Sequence, residues 1–282
     1  PPRSTQSRSS AASDVYKRQI IMGVLNITPD SFSDGGLFFE AQSAIDQAVL
    51  MVEQGADIID IGGESTRPGA PEVSAEDELK RVLPVIEALS GNIDVPISID
   101  TSKPVVMRRA FDAGASIIND VYALRSEGAL EMAASLGADV CLMHMQGNPR
   151  TMQKNPKYDD VVSDVKIFFT ERLEACSGVG IKLESITLDP GFGFGKNLAH
   201  NIALLKNLAE FHDFGVSILA GLSRKSMIGS LLGDKEVDSR MIGSVTAALI
   251  AVENGANIIR AHDVAETKDA LTVWQQIKHF RE

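Results

Sequence analysis

Four phrases in this sequence share one grammar: "EQGADIIDIG" from residue 53, "DAGASIIND" from 112, "SLGADVCLMH" from 135 and "ENGANIIRAHD" from 253. Each ends a helical stretch with Gly-Ala, adds one polar residue, and continues as a short apolar run. Glycine takes the left-handed conformation that terminates a helix, and a run with no polar alternation reads as a strand buried on both faces. Helix and strand therefore alternate, and strands joined by helical crossovers lie parallel.

Extending the pattern gives eight apolar runs: Ile20–Ile27, Ile58–Ile61, Ile97–Ile99, Ile117–Ile118, Val140–Met143, Ile186–Leu188, Ile218–Leu222 and Ile258–Ile259. Helical stretches with caps lie between them. "DTSKPVVMRRAFDAG" offers Thr101 or Ser102 as N-cap, Pro104 in the first turn and Gly114 as the stop. "SAEDELKRVLPVIEAL" opens with Ser74 and Asp77 at capping-box spacing and has acids in its first turn. Eight β–α units in 282 residues point to a single-domain (β/α)8 TIM barrel, with an open doubly wound sheet as the alternative. In both, residues that end the strands face the site.

Charge narrows the partners. The net charge is −11, which disfavours nucleic acid and membrane surfaces, since both need a basic face. No apolar run approaches the ~20 residues of a membrane span. Two cysteines, Cys141 and Cys176, read as reduced thiols of a cytosolic protein. Residues 1–19 are basic and Ser-rich, without an apolar period; they read as a disordered tail or non-native leader, with a transit peptide as the other option. The barrel domain is placed at 20–282.

The strand ends carry Asn26, Asp60, Asp100, Asn119, His144, Asp189, Ser223 with Lys225, and Arg260 with His262. Singly, each is an ordinary turn former or structural residue. Together, Asp100, Asn119 and Asp189 suit a heterocycle with several N–H and C=O groups, a carboxylate pairing with adjacent ring and amino donors. Asn26, Ser65, Thr66, Arg67, Arg260 and His262 suit an anion. The phrase "LDPGFGFGKN" misses both the P-loop and the dinucleotide fingerprint by one residue, and it begins with an acid. Asp189 is therefore expected to read a ring edge while the glycines admit a flat ligand. HExxH, a Cys cluster and GxSxG are all missing, which argues against a caged zinc or a serine nucleophile. Magnesium held by one oxygen ligand such as Asn26, with substrate phosphates, is compatible.

"IMGVLNITPDSFSDGG" (21–36), "DIGGESTRPGA" (60–70), "ISIDTSKP" (97–104), "IINDV" (117–121), "HMQGNPRTMQ" (144–153), "LDPGFGFGK" (188–196), "GLSRKSMIG" (221–229) and "IIRAHD" (258–263) resemble, in order, the dihydropteroate synthase family. The resemblance implies a (β/α)8 barrel that joins 6-hydroxymethyl-7,8-dihydropterin diphosphate to 4-aminobenzoate in folate synthesis, releasing pyrophosphate. It implies pterin contacts from Asp100, Asn119, Met143, Asp189, Lys225 and Arg260. It implies diphosphate contacts from Asn26, Thr66, Arg260 and His262, with magnesium at Asn26. The aminobenzoate pocket falls to Thr66, Arg67, Pro68, Phe194, Ser223 and Lys225. Loops "TPDSFSDGG" and "GGESTRPGA" match mobile segments, and a free-standing cytoplasmic homodimer is expected. The apolar strand that commonly precedes the first barrel strand in this family is missing from the tail, which puts the plug at the barrel's bottom in doubt. The alternatives are a pterin-dependent methyltransferase domain, which has no need of the Thr66-Arg67-Pro68, Ser-Arg-Lys and Arg-Ala-His-Asp segments together, and a non-catalytic pterin-binding protein.

Overall fold

The Gly-Ala turns are present at all four predicted places. The four glycines have φ of +97° (Gly55), +121° (Gly114), +62° (Gly137) and +106° (Gly255), values that a side chain would strain. The alanine after each donates back to the carbonyl five residues earlier: Ala56 to Met51, Ala115 to Ala110, Ala138 to Ala133 and Ala256 to Ala251, at 2.8–3.3 Å. This is the Schellman closure, and the buried alanines complete its apolar contact. The polar residue that follows leads into the next strand, as its first residue at Asp139 and just before it at Asp57, Ser116 and Asn257. Asp57 and Asn257 each accept, through the side chain, the N–H of the neighbouring strand's Ile21 (3.0 Å) and Ile218 (2.9 Å).

The computed structural model describes residues 19–27, 36–65, 70–149, 151–278 and 280. Its strands are β1 (Ile20–Asn26), β2 (Ile58–Gly62), β3 (Ile97–Asp100), β4 (Ile117–Asp120), β5 (Asp139–Met143), β6 (Ile186–Asp189), β7 (Ser217–Ala220) and β8 (Ile258–Ala261). They close in sequence order into one parallel barrel, with β1 paired to β8. This settles the choice against the open sheet. Helices α1 (Gly36–Glu53), α2 (Ala75–Leu89), α3 (Pro104–Ala113), α4 (Ala129–Leu136), α5 (Val161–Gly178), α6 (Leu198–Lys206), α7 (Ser226–Leu231), α8 (Met241–Glu253) and α9 (Val264–Lys278) surround it. The main core lies between barrel and helices. A second apolar layer, Met22, Ile58, Cys141, Leu219 and Ile258 with Ile20 and Ile117 against it, fills the barrel's N-terminal end. The tail, residues 1–18, lies outside the described residues, as does any strand preceding β1.

Two local expectations are corrected. The N-cap of α3 is Lys103, not Thr101 or Ser102. Lys103 precedes Pro104 and is held extended (φ −102°, ψ 117°), so the helix cannot begin before the proline. The Ser102 hydroxyl is instead donated to buried Asp120 at 2.7 Å. The seventh strand also ends at Ala220, two residues early. Leu222 belongs to a turn, its carbonyl accepting the Lys225 N–H at 3.3 Å. Pro104 does open α3, Gly114 does stop it, and Ser74 caps α2 by accepting the Asp77 N–H at 3.1 Å.

Candidate active site

The barrel register places the strand-end residues side by side. Asn26 pairs across the ladder with Gly62, Gly62 with Asp100, and Asp100 with Asn119. One rung lower, Asp60 of β2 is fully buried and carries much of the site's wiring. Its Oδ1 accepts from Ser98 Oγ at 2.6 Å. Its Oδ2 accepts from Asn119 Nδ2 at 3.0 Å and from Arg260 Nε at 2.6 Å. Arg260 also donates to Asp100 Oδ2 at 2.8 Å. Arg260 was expected to follow the last strand; it lies within β8 and reaches across the mouth, its side chain 21% exposed.

Burial governs the charges. It raises the Asp100 carboxyl to about 7, with Arg260 opposing and Asp60 adding to the rise. Asp189 is also raised by burial, against Lys225, the Gly191 N–H and Arg260. Burial lowers Lys225 to about 8, opposed by Asp189. The Arg260 guanidinium loses to burial but gains more from Asp60 and Asp100, and stays fully charged.

Asp189 ends β6, and its Oδ1 accepts the Gly191 N–H at 2.8 Å. The loop from Gly191 to Gly195 then packs tightly on the segment after β5. At Gly191, φ is +71°, and a Cβ would lie 1.9 Å from the His144 carbonyl oxygen, so no side chain fits. Lys225 Nζ donates to the Phe192 carbonyl and lies 4.7 Å from the Phe194 ring centroid. Lys225 follows Arg224, a non-glycine residue at φ +58°. That strained turn is fixed by the Arg224 pair with Asp263 and by its N–H to Ser244 Oγ at 2.9 Å. Ser223 Oγ lies 3.0 Å from His262 Nδ1, which joins two predicted anion and pocket residues. Met143, Met145, Met152 and Val121, with Phe194 and Tyr122 against them, form the apolar wall.

Asn26 ends β1 with its Oδ1 beside Gly62: a Cβ there would be in van der Waals contact with Asn26 Oδ1 and Asp100 Cβ, at 3.5 Å each. Among the described residues no cluster of three His, Cys, Asp or Glu could cage a metal. A single neutral oxygen is compatible with a magnesium ion that would take its other ligands from phosphate and water.

Thus Asn26, Asp100, Asn119, Met143, Asp189, Phe194, Ser223, Lys225, Arg260 and His262 all come to the C-terminal mouth. Thr66, Arg67 and Pro68 lie outside the described residues. Two residues were given no role in the site. Asp60 was named among the strand ends, but it lies in the middle of β2, and the sequence carried no sign that three side chains converge on it. Lys196 was visible only as the end of the glycine motif. It is buried with its amine 2.8 Å from His144 Nδ1, which gives His144 a partner. The imidazole is pushed down to about 2, by burial first and then by Lys196 and Arg125, so it is neutral and accepts.

Comparison with known proteins agrees with this geometry. The family described as pterin binding enzyme matches residues 22–262. The dihydropteroate synthase of Haemophilus influenzae is 58% identical over 255 residues, covering 90% of this chain and 92% of that protein. The Xanthomonas albilineans dihydropteroate synthase solved with 4-aminobenzoic acid superposes with a TM-score of 0.89 at 50% identity, over 94% of this chain and 95% of that one. The same enzyme in complex with 7,8-dihydropteroate gives 0.86 at 47% identity, covering 94% and 96%. A family match across nearly the whole barrel, a close relative in sequence and a shared fold place this chain in the dihydropteroate synthase family of pterin-binding enzymes.

Proposed function

We infer that the chain catalyses the condensation of 6-hydroxymethyl-7,8-dihydropterin diphosphate with 4-aminobenzoate, giving 7,8-dihydropteroate and pyrophosphate. The observation that carries this reading is the set of buried Asn119 and Asp189 with the partly buried Asp100, beside Lys225 and Arg260 at one barrel mouth. Two acids and an amide match the N–H-rich edge of a pterin. Lys225 adds a donor for its carbonyl, and Met143 an apolar face. A Xanthomonas relative holds 4-aminobenzoic acid in one structure and the condensation product in another, which supports both substrates here.

The roles follow from charge and reach. Arg260 spends two N–H groups on Asp60 and Asp100 and has others for the diphosphate, a role we also assign to His262 and Thr66. Asn26 would hold a magnesium ion, whose charge stabilises the departing pyrophosphate. As the C–O bond breaks, the electron-rich dihydropterin delocalises the positive charge left on its exocyclic carbon. The neutral arylamine then attacks that carbon and loses its proton to water. No strong protein base is needed, and positioning with charge stabilisation supplies the rate. Phe194, Ser223 and the Lys225 stem form the arylamine pocket, together with Thr66, Arg67 and Pro68.

The proposed setting is a cytoplasmic homodimer. Cys141 and Cys176 are both free and buried, and among the described residues no helix is long and apolar enough to cross a membrane. Ile242 and Ile250 on α8, with Val273 and Ile277 on α9, are exposed on two packed helices and support a self-association face. Sedimentation should show a dimer that Ile242→Glu weakens.

The test of function incubates the purified protein with the pterin diphosphate and magnesium, with and without 4-aminobenzoate, and follows pyrophosphate and dihydropteroate together. Matched, arylamine-dependent formation of both is expected. Folded protein that binds pterin yet releases neither product would overturn the reading.

A further inference from the structure

The lysine that ends the glycine motif has no task in the reaction described above. Lys196 is 3% exposed. Its amine has four acceptors in reach: His144 Nδ1 at 2.8 Å, the Gly191 and Phe194 carbonyls at 3.0 Å each, and the His144 carbonyl at 3.3 Å. An ammonium has three N–H groups, so the pocket supplies more acceptors than the group can use. Burial pulls the amine well below its ordinary value and Asp189 pulls it back.

The arrangement is two-sided. Lys225 takes the Phe192 carbonyl from the mouth, while Lys196 takes the Gly191 and Phe194 carbonyls from behind. Gln153 and Tyr158 take the Gly193 and Gly195 carbonyls. Every carbonyl from Gly191 to Gly195 thus receives a side-chain donor. The dependence on Lys196 is unequal. Gly191 is also held by Asp189 Oδ1 and by the Phe194 N–H at 3.1 Å. The Phe194 carbonyl has Lys196 as its hydrogen-bond donor among the described residues.

We propose that Lys196, seated on His144, is a positioning residue for the arylamine: it fixes Phe194 against the second-substrate pocket without touching either substrate. This rests on the assignment of Phe194 to that pocket. A merely structural lysine would support both substrates alike.

Three variants separate the cases. Lys196→Met keeps the stem and volume but removes the donors. His144→Phe keeps an aromatic ring against Phe168, now 4.9 Å away edge-on, and removes the acceptor. His144→Asn places an amide near the former Nδ1. Steady-state constants for 4-aminobenzoate, calorimetric binding of the pterin and the melting temperature are measured for each. Lys196→Met and His144→Phe should raise the 4-aminobenzoate KM about tenfold while pterin affinity changes less than about threefold, with His144→Asn recovering most of the loss. Equal losses for both substrates, or a His144→Phe enzyme like the parent, would overturn the proposal. If Lys196→Met does not fold, the His144 pair decides the question. Phe194→Leu is the control. If it leaves the arylamine KM unchanged, the pocket assignment has failed; if it raises that KM and the other two variants do not, the positioning role alone has failed.

Discussion

The two halves of the site are held by opposite means. In the half borne by strands, Asp60, Asp100, Asn119 and Arg260 bond side chain to side chain across β2, β3, β4 and β8. In the half borne by loops, Lys196, Lys225, Gln153 and Tyr158 bond to the main chain of Gly191–Gly195. The ladder already fixes a strand's backbone, so side chains there are released to carry and orient charge. A loop has no ladder, and long side chains must replace it. The first half can read a ring edge by charge; the second shapes a pocket.

Arg260→Ala should break the strand half most severely. It leaves Asp60 and Asp100 buried without their cation, an imbalance of about 3–5 kcal/mol in comparable pairs. A loss of more than about a hundredfold in kcat/KM for the pterin substrate is expected, with a lower melting temperature. Asp60→Asn keeps the shape and removes the charge. Pterin binding should weaken about tenfold or more by calorimetry while the arylamine KM barely moves. Equal effects on both substrates would merge the two halves into one.

Gly191→Ala attacks the loop half through its backbone. The added Cβ meets a carbonyl oxygen, and φ is already positive. A stability loss of about 1–3 kcal/mol should appear as a lower denaturant midpoint. The smallest effect is on pH. Asp100 near 7 must be ionised to accept from the pterin, so affinity should rise with pH through that value. Lys225 near 8 loses its charge-assisted donation on deprotonation, so affinity should fall again above that value. Asp100→Asn should flatten the lower limb and leave the upper one.

The same contrast explains what the sequence made legible. Eight apolar runs ending in polar residues announced the barrel and most of its mouth, because strand burial and strand termination are local properties. Asp100, Asn119 and Asp189 were found that way. Asp60 sits one rung down, and its weight comes from Ser98, Asn119 and Arg260, brought to it only by closure of the barrel. Lys196 and His144 are 52 residues apart and meet only when one loop folds against another. The α3 cap was misread for a related reason: Ser102 has a hydroxyl suited to capping, but Asp120 on the next strand takes it. Pro104 then set the helix start by itself.

The two thiols stand in different layers. Cys141 belongs to the apolar layer inside the barrel, on the rung shared with Asn119, whereas Cys176 packs in the outer layer from α5. Burial raises both, Cys141 well above its ordinary value, so neither reacts while its layer is closed. Native-state alkylation should therefore time two separate openings. Modification at Cys176 counts how often a helix lifts from the wall, and modification at Cys141 how often the wall itself parts.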